Sequence, residues 1–200
     1  MSDTPDLAGR TIIVTGAAGL LGREYGRALV DAGAHVVLAD IAEDAVRRAA
    51  ESLRGGPGCA VAVGADVTDE ASVANLVRVT LDRFGQINGL VNNAALDPKM
   101  DRDRAPGLGL TFEQYPLEMW NRSLAVNLTG MFLCARAVAP ALLGQRRGTI
   151  VNVSSTYGLV GPDQRLYESD DHQRPRDYKP VDYAVTKSAV LGFTRYLATY

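Results

Sequence analysis

Lysine is scarce in this chain of 200 residues: Lys99, Lys179 and Lys187 are the only three among 21 basic side chains. Cysteine is scarcer still. Cys59 and Cys134 stand far apart in hydrophobic stretches, with no CxxC spacing and no Cys/His cluster, which argues against a disulfide scaffold or a metal site and reads both as buried thiols. A basic excess is also missing. The net charge of −2 supplies no field for nucleic acid and no polybasic stretch for an anionic membrane, so neither is expected as a partner, and a small molecule is. The first ten residues lack an apolar leader core and no run of about 18 apolar residues appears, which makes the cytoplasm the expected compartment.

What is present is patterning. With 46% hydrophobic and 22% charged residues, the chain reads as a single domain over residues 1–200 able to bury a core. Short apolar runs predict strands at Arg10–Thr15, His35–Ala39, Ala60–Gly64, Gly89–Asn92 and Thr149–Val153. Helices are predicted between them at Gly19–Ala32, Glu43–Leu53, Asp69–Phe84 with Thr68 as its cap, and a long region Leu117–Leu143 after Pro116; a last helix runs from about Val181 to Tyr200. Runs such as Ile12-Ile13-Val14 and Val36-Val37-Leu38 suit strands buried on both faces. The expected fold is therefore α/β: a doubly wound parallel sheet of Rossmann type in three α/β/α layers. Two stretches interrupt the rhythm, Asp97–Gly109 and Gly161–Lys179, and read as long loops.

Thr15-Gly16-Ala17-Ala18-Gly19-Leu20-Leu21-Gly22 follows the first strand and opens the first helix, where backbone N–H groups and the helix dipole favour a phosphate. The spacing is GxxGxxG rather than GxGxxG, which alone does not separate a dinucleotide turn from any glycine-rich turn. Asp40 ends the second strand, where a carboxylate would accept from an adenosine ribose and repel a 2′-phosphate, so NAD is favoured over NADP. Asp66-Val67 and Asn92-Asn93-Ala94-Ala95 end the next two strands at the same carboxyl edge. Asp66 is suited to an adenine amino group or to a helix entry, and Asn93 to bracing the neighbouring backbone. Further on, Tyr183 and Lys187 are four residues apart, about one helical turn, which puts a cation beside a phenol. That cation would lower a phenol pKa of about 10 toward the range of a working acid and base. By chance such a pair arises about one time in eight in a chain with 8 tyrosines and three lysines, so alone it decides little.

Taken in order, Thr15-Gly-x-x-Gly-x-x-Gly22, Asp66, Asn92-Asn-Ala-Ala95, Asn127, Ser154-Ser155 and Tyr183-x-x-x-Lys187 resemble the short-chain dehydrogenases/reductases over nearly the whole chain. The resemblance implies a nicotinamide-dependent oxidoreductase that interconverts a secondary alcohol and a ketone, with Asn127, Ser155, Tyr183 and Lys187 as the catalytic set. It implies that Tyr183 transfers the proton, Lys187 tunes it and holds the nicotinamide ribose, Ser155 polarises the substrate oxygen, and Asn127 holds a water. The implied cofactor site comprises Gly16, Gly19, Leu21, Gly22, Asp40, Asp66, Val67, Asn93 and Ala94, together with Tyr183 and Lys187; no metal is expected. Ser155 is chosen over Ser154 because in the family the second serine of such a pair faces the substrate. A homodimer or homotetramer is also implied, with Met131, Phe132, Leu133 and Val138 as apolar surface for it, though core packing explains them equally well.

The spacing from Ser155 to Tyr183 is longer than in the family's shorter branch, and the charged stretch that fills it, Tyr167-Glu168-Ser169-Asp170-Asp171-His172 through Pro180, is similar to the extended branch of nucleotide-sugar epimerases and dehydratases. With Asp97-Pro98-Lys99 and the segment Phe112–Trp120, the mixture resembles dehydrogenases of bacterial surface-sugar or flagellin modification. A polar, sugar-like substrate is expected. Two alternatives stay open: an epimerase or dehydratase that retains NAD, and a non-catalytic NAD-binding protein. The family's shorter branch continues with a sixth strand, a substrate-covering segment and a seventh strand, so Tyr200 is expected to mark a truncation and the activity to belong to a longer chain.

Overall fold

The computed structural model describes residues 6–97, 110–167 and 178–200. Its elements in chain order are β1 (Thr11–Thr15), α1 (Leu20–Asp31), β2 (His35–Asp40), α2 (Glu43–Glu51), β3 (Cys59–Gly64), α3 (Glu70–Phe84), β4 (Gly89–Asn92), α4 (Leu117–Leu124), a π-helical turn (Ala125–Gly130), α5 (Met131–Gln145), β5 (Thr149–Asn152) and α6 (Val181–Thr199). Short 3-10 turns lie at Phe112–Gln114, Thr156–Gly158 and Gln164–Tyr167. Two compact units emerge: Met1–Ala94 with Gly130–Val153, and Ala95–Thr129 with Ser154–Tyr200.

The first unit is the expected doubly wound sheet. Its five strands are parallel in the order β3-β2-β1-β4-β5, with helices on both sides. Registers such as Val14↔Leu38 and Val14↔Val91 put Val14, Val36 and Leu38 on one face, where they meet Val30 of α1 and Val46, Ala49 and Ala50 of α2. Ile13, Val37 and Leu90 face the other way. There α3 and α5 pack against each other and reach β2, β4 and β5. Burial on both faces is why these strands carry runs of branched apolar residues instead of alternating ones. The strand order reverses between β1 and β4, the kind of switch point outside whose carboxyl ends such sheets take ligands.

Several sequence expectations change here. Asp69, not Thr68, caps α3: its carboxylate accepts from the N–H groups of Ala71 and Ser72. A carboxylate is the better acceptor for these orphan N–H groups and also meets the positive end of the helix dipole. β3 ends at Gly64, so Asp66 and Val67 lie beyond the strand. The predicted single helix Leu117–Leu143 is two helices separated by the π turn. Counted as one piece, Leu117–Gln145 is long and apolar enough to cross a membrane by length and composition, although it holds no unbroken run of about 18 apolar residues. Its second half is a core helix: Met131, Leu133, Cys134, Ala135 and Val138 are buried, and α5 packs on β4. Of the four residues considered for an oligomer surface, three are therefore core, and only Phe132 is substantially exposed. Cys134 is buried as expected, whereas Cys59 is half-buried with its sulfur 3.1 Å from His35 Nδ1.

In the second unit, α6 packs against α4 and the turn Thr156–Gly158. Pro116 and Pro180 immediately precede α4 and α6, where a residue without an N–H loses nothing. A Cβ on Gly158 would stand 2.5 Å from the Lys187 carbonyl oxygen, so only glycine lets this turn sit directly on the helix. Of the two expected loops, residues 98–109 and 168–177, with Asp170, Asp171 and His172, lie outside the described residues. The remainder of the second contains the turn Gln164–Tyr167.

Candidate active site

The first unit carries the candidate phosphate and adenosine residues. Gly16 has φ +65, a conformation costly for any side chain, and a Cβ there would lie 2.7 Å from Ala94 Cα. A Cβ on Gly22 would lie 2.3 Å from the Gly16 carbonyl oxygen. These two glycines therefore let the turn fold on itself and against the end of β4. Gly19 is different: it is the first-turn boundary of α1, its nearest neighbour would be 3.3 Å away, and no side chain caps the helix there. The first turn contains no acidic residue. Exposed Leu20 and Leu21 follow, leaving the amino end of α1 available to an anion.

Asp40 lies beside the glycine turn in the first unit. Its Oδ2 accepts from Ala18 N–H and its Oδ1 from Ala42 N–H, both at 2.9 Å. Each oxygen keeps acceptor capacity, so the carboxylate is oriented by the glycine turn and can still receive two ribose hydroxyls. Asp66 is engaged as a helix entry: one oxygen accepts from both the N–H and the hydroxyl of Thr68. Val67 is buried against Gly130, which leaves only its main chain for a cofactor. Asn93 donates to the carbonyls of Thr15 and Gly16 at 3.0 and 3.1 Å, while Thr15 Oγ1 receives the N–H groups of Asn93 and Ala94. Asn93 thus ties the β4 end to the glycine turn. The donor and acceptor set fits a dinucleotide: an open helix N-terminus for phosphate and an oriented carboxylate for ribose.

The second unit brings together the four residues expected to be catalytic. Asn127 is 1% exposed and lies in the π turn. Its Oδ1 accepts from Leu96 N–H at 2.7 Å, and its Nδ2 donates to the Leu96 carbonyl at 3.0 Å and to Thr186 Oγ1 at 3.2 Å. Both amide hydrogens are engaged, so any water held here would have to donate to Oδ1 or to a turn carbonyl. Asparagine is a poor residue inside a helix, and the widened turn is the local irregularity that lets its side chain reach these partners. Thr186 Oγ1 in turn donates to the Tyr183 carbonyl. Ser154 donates to the Lys187 carbonyl at 2.8 Å, a structural bond. Ser155 accepts from Tyr157 N–H, capping the turn with an oxygen whose own proton is not used in that bond.

Lys187 is 4% exposed, its ammonium 5.8 Å from the Tyr183 ring centroid. Burial pushes this lysine below its ordinary value, and Asp97 acts in the opposite direction. Sequence reasoning missed its neighbours. The Lys179 ammonium lies 4.3 Å from the Tyr183 centroid and pairs with Asp97 at 2.6 Å. Gln164 clasps the Lys179 main chain, accepting its N–H and donating to its carbonyl. Tyr157 and Tyr167 share a hydroxyl hydrogen bond of 2.8 Å, and burial followed by that bond pushes Tyr167 up to about 12. The scarcity of lysine was the available signal, since two of three lie within four residues of Tyr183; Pro180 hid it by ending the helical register. Ser123 of α4 donates to the buried Asp182 of α6, and burial, followed by interaction with Asp182, pushes the Tyr115 phenol up. A cavity of about 490 Å³ lies alongside, lined by Phe112, Tyr115, Gln164, Tyr178, Lys179 and Val185 among others.

Comparison with known proteins bears on this arrangement. The family model described as short chain dehydrogenase matches residues 10–169. A sorbitol dehydrogenase from Cereibacter sphaeroides is 41% identical over 156 residues, covering 78% of this chain and 56% of that protein. A 3-oxoacyl-[acyl-carrier-protein] reductase from Synechocystis is 34% identical over 197 residues, covering 96% and 68%. The crystal structure of an NAD+-bound xylitol dehydrogenase superposes with a TM-score of 0.81 at 28% identity, over 96% of this chain and 65% of that one. The chain thus spans less than two thirds of the sorbitol and xylitol dehydrogenases. The family match over residues 10–169 and the relative that is 34% identical show that the chain belongs to the short-chain dehydrogenase family.

Proposed function

We propose that the protein is an NAD-dependent oxidoreductase interconverting a secondary alcohol and its ketone on a polar, sugar-like substrate. The observation that carries this reading is the buried Lys187 beside Tyr183 on one face of α6, with Asn127 anchored to the same helix through Thr186. In the oxidative direction Ser155 donates its hydroxyl hydrogen to the substrate oxygen, orienting it. Tyr183, as phenolate, takes the substrate hydroxyl proton while the carbinol C–H bond breaks with its electron pair and the C=O bond forms. Bound nicotinamide dinucleotide supplies the acceptor for that hydride, or its donor in reverse. Lys187 stabilises the phenolate and hydrogen-bonds the nicotinamide ribose. Gly16, Gly19, Leu21, Gly22, Asp40, Asp66, Val67, Asn93 and Ala94 hold the rest of the dinucleotide, and Asp40 selects NAD by repelling a 2′-phosphate.

The polar-substrate reading is supported by the names of the sorbitol and xylitol dehydrogenases to which this chain is similar. A finer assignment, to surface-sugar or flagellin-modification dehydrogenases, rests on the charged sequence before Tyr183 together with Asp97-Pro98-Lys99 and the segment Phe112–Trp120. A cytoplasmic homodimer or homotetramer is the accompanying proposal. The test is oxidation of a panel of polyols and sugars, sorbitol and xylitol among them, followed by NADH absorbance. Tyr183→Phe is expected to lower turnover by about 10²–10⁴-fold while NADH binding persists. Turnover equal to wild type would overturn the reading.

A further inference from the structure

We propose that Lys179 is a positioning residue for Tyr183, a second cation that lies on the face of the phenol and favours its ionised form. The inference rests on the reading of Tyr183 as the proton-transfer group. Its ammonium is nearer the ring than that of Lys187, 4.3 Å against 5.8 Å from the centroid. The side chain is only 11% exposed, so the contact is weakly screened. It is also held in place: Asp97 binds the ammonium from the segment after β4, and Gln164 binds the main chain on both sides of the residue. A lysine steadied at its head and at its backbone is poorly suited to solvent and well suited to one fixed position.

The charge on Lys179 acts on Tyr183 differently from that of Lys187. Lys187 has a nicotinamide ribose to bind in the proposed mechanism, and its burial disfavours its own charge. Lys179 pairs with a carboxylate, which secures its charge but also opposes its field. Lys187 on its own helix and Lys179 ahead of that helix lie over the Tyr183 ring, and Lys179 is met in turn by Asp97 and by the ring of Tyr157, whose hydroxyl bonds that of Tyr167. Asp182 precedes Tyr183 but engages Ser123. Removing Lys179 therefore disfavours the phenolate, while removing the Asp97 charge favours it.

Opposite signs make the test decisive. The tyrosinate absorbance of the purified protein is titrated with pH, each variant read against the same variant carrying Tyr183→Phe, so that the difference reports Tyr183 among the 8 tyrosines without any substrate. Lys179→Gln is expected to move the difference curve to higher pH by about one unit, and Lys179→Arg to restore much of it. Asp97→Asn is expected to move it to lower pH. An unmoved curve in Lys179→Gln, or displacement of both variants in the same direction, overturns the proposal. If Lys179→Gln fails to fold, Lys179→Met decides: a shift upward supports the proposal, and none or a downward shift overturns it. Failure of the functional reading looks different: Tyr183→Phe would keep its turnover whatever the absorbance curves do.

Discussion

Replacing Asn127 with alanine tests whether the π turn is built around one amide. The wild-type side chain is 1% exposed and makes three hydrogen bonds of 2.7 to 3.2 Å, two of them to the main chain of Leu96, 31 residues away. Each bond contributes about 0.5–1.5 kcal/mol net, and a buried partner left without one costs about 1–3 kcal/mol. Alanine would strand the N–H and the carbonyl of Leu96 together, so a loss of about 3 kcal/mol is expected, or a Tm lower by about 6–12 °C for a chain of this size. Urea unfolding with an unchanged m-value measures it. Asn127→Asp adds a sign. It keeps an acceptor for Leu96 N–H but turns a carboxylate toward the Leu96 carbonyl in a buried place, which raises that carboxyl above an ordinary aspartate of about 3.9. The folded state then binds more protons than the unfolded state from about pH 4 upward, so stability falls as pH rises and the deficit is larger near pH 7. A loss below about 1 kcal/mol for alanine, or no pH slope for aspartate, refutes the account.

The glycine turn and the buried thiol give two further tests. In Gly22→Ala the new Cβ meets the Gly16 carbonyl oxygen at 2.3 Å and Ala17 Cα at 2.7 Å, both backbone, so a cost of about 1–3 kcal/mol and at least tenfold weaker NADH binding by fluorescence titration are expected. Gly19→Ala, with its nearest neighbour at 3.3 Å, should cost less than about 1 kcal/mol; equal effects at the two sites would count against the geometry. Burial pushes the Cys134 thiol from 9.0 up to about 12. Native protein at pH 8 should therefore leave Cys134 unmodified by a thiol reagent while half-buried Cys59 reacts, as peptide mapping would show. Because the folded state holds the Cys134 proton longer, its share of stability is present below about 9 and declines as pH rises toward 12. Modification of Cys134 in folded protein would contradict the burial.

Much of the site was legible because its signals are local. A glycine turn between a strand and a helix, an aspartate ending the next strand, and a tyrosine and lysine four apart all follow from periods of two and 3.6 residues. The strands were located within about one residue for the same reason. Misjudged details depended on competition between neighbours, as when Asp69 displaced Thr68 as the cap of α3. The break in the long helical pattern was legible only as a need: a buried asparagine must find partners, but nothing in the pattern names Leu96 or Thr186 as those partners.

The sequence by itself determined the layered fold, the order of motifs and the pairing of Tyr183 with Lys187, because each is written in short-range periodicity that the backbone converts directly into geometry. Only the tertiary structure decided that Lys179 would lie nearer the phenol than Lys187, with Asp97 behind it from 82 residues away. That contact crosses Pro180 and joins separate segments, so it depends on where the whole chain closes up and not on any spacing along it.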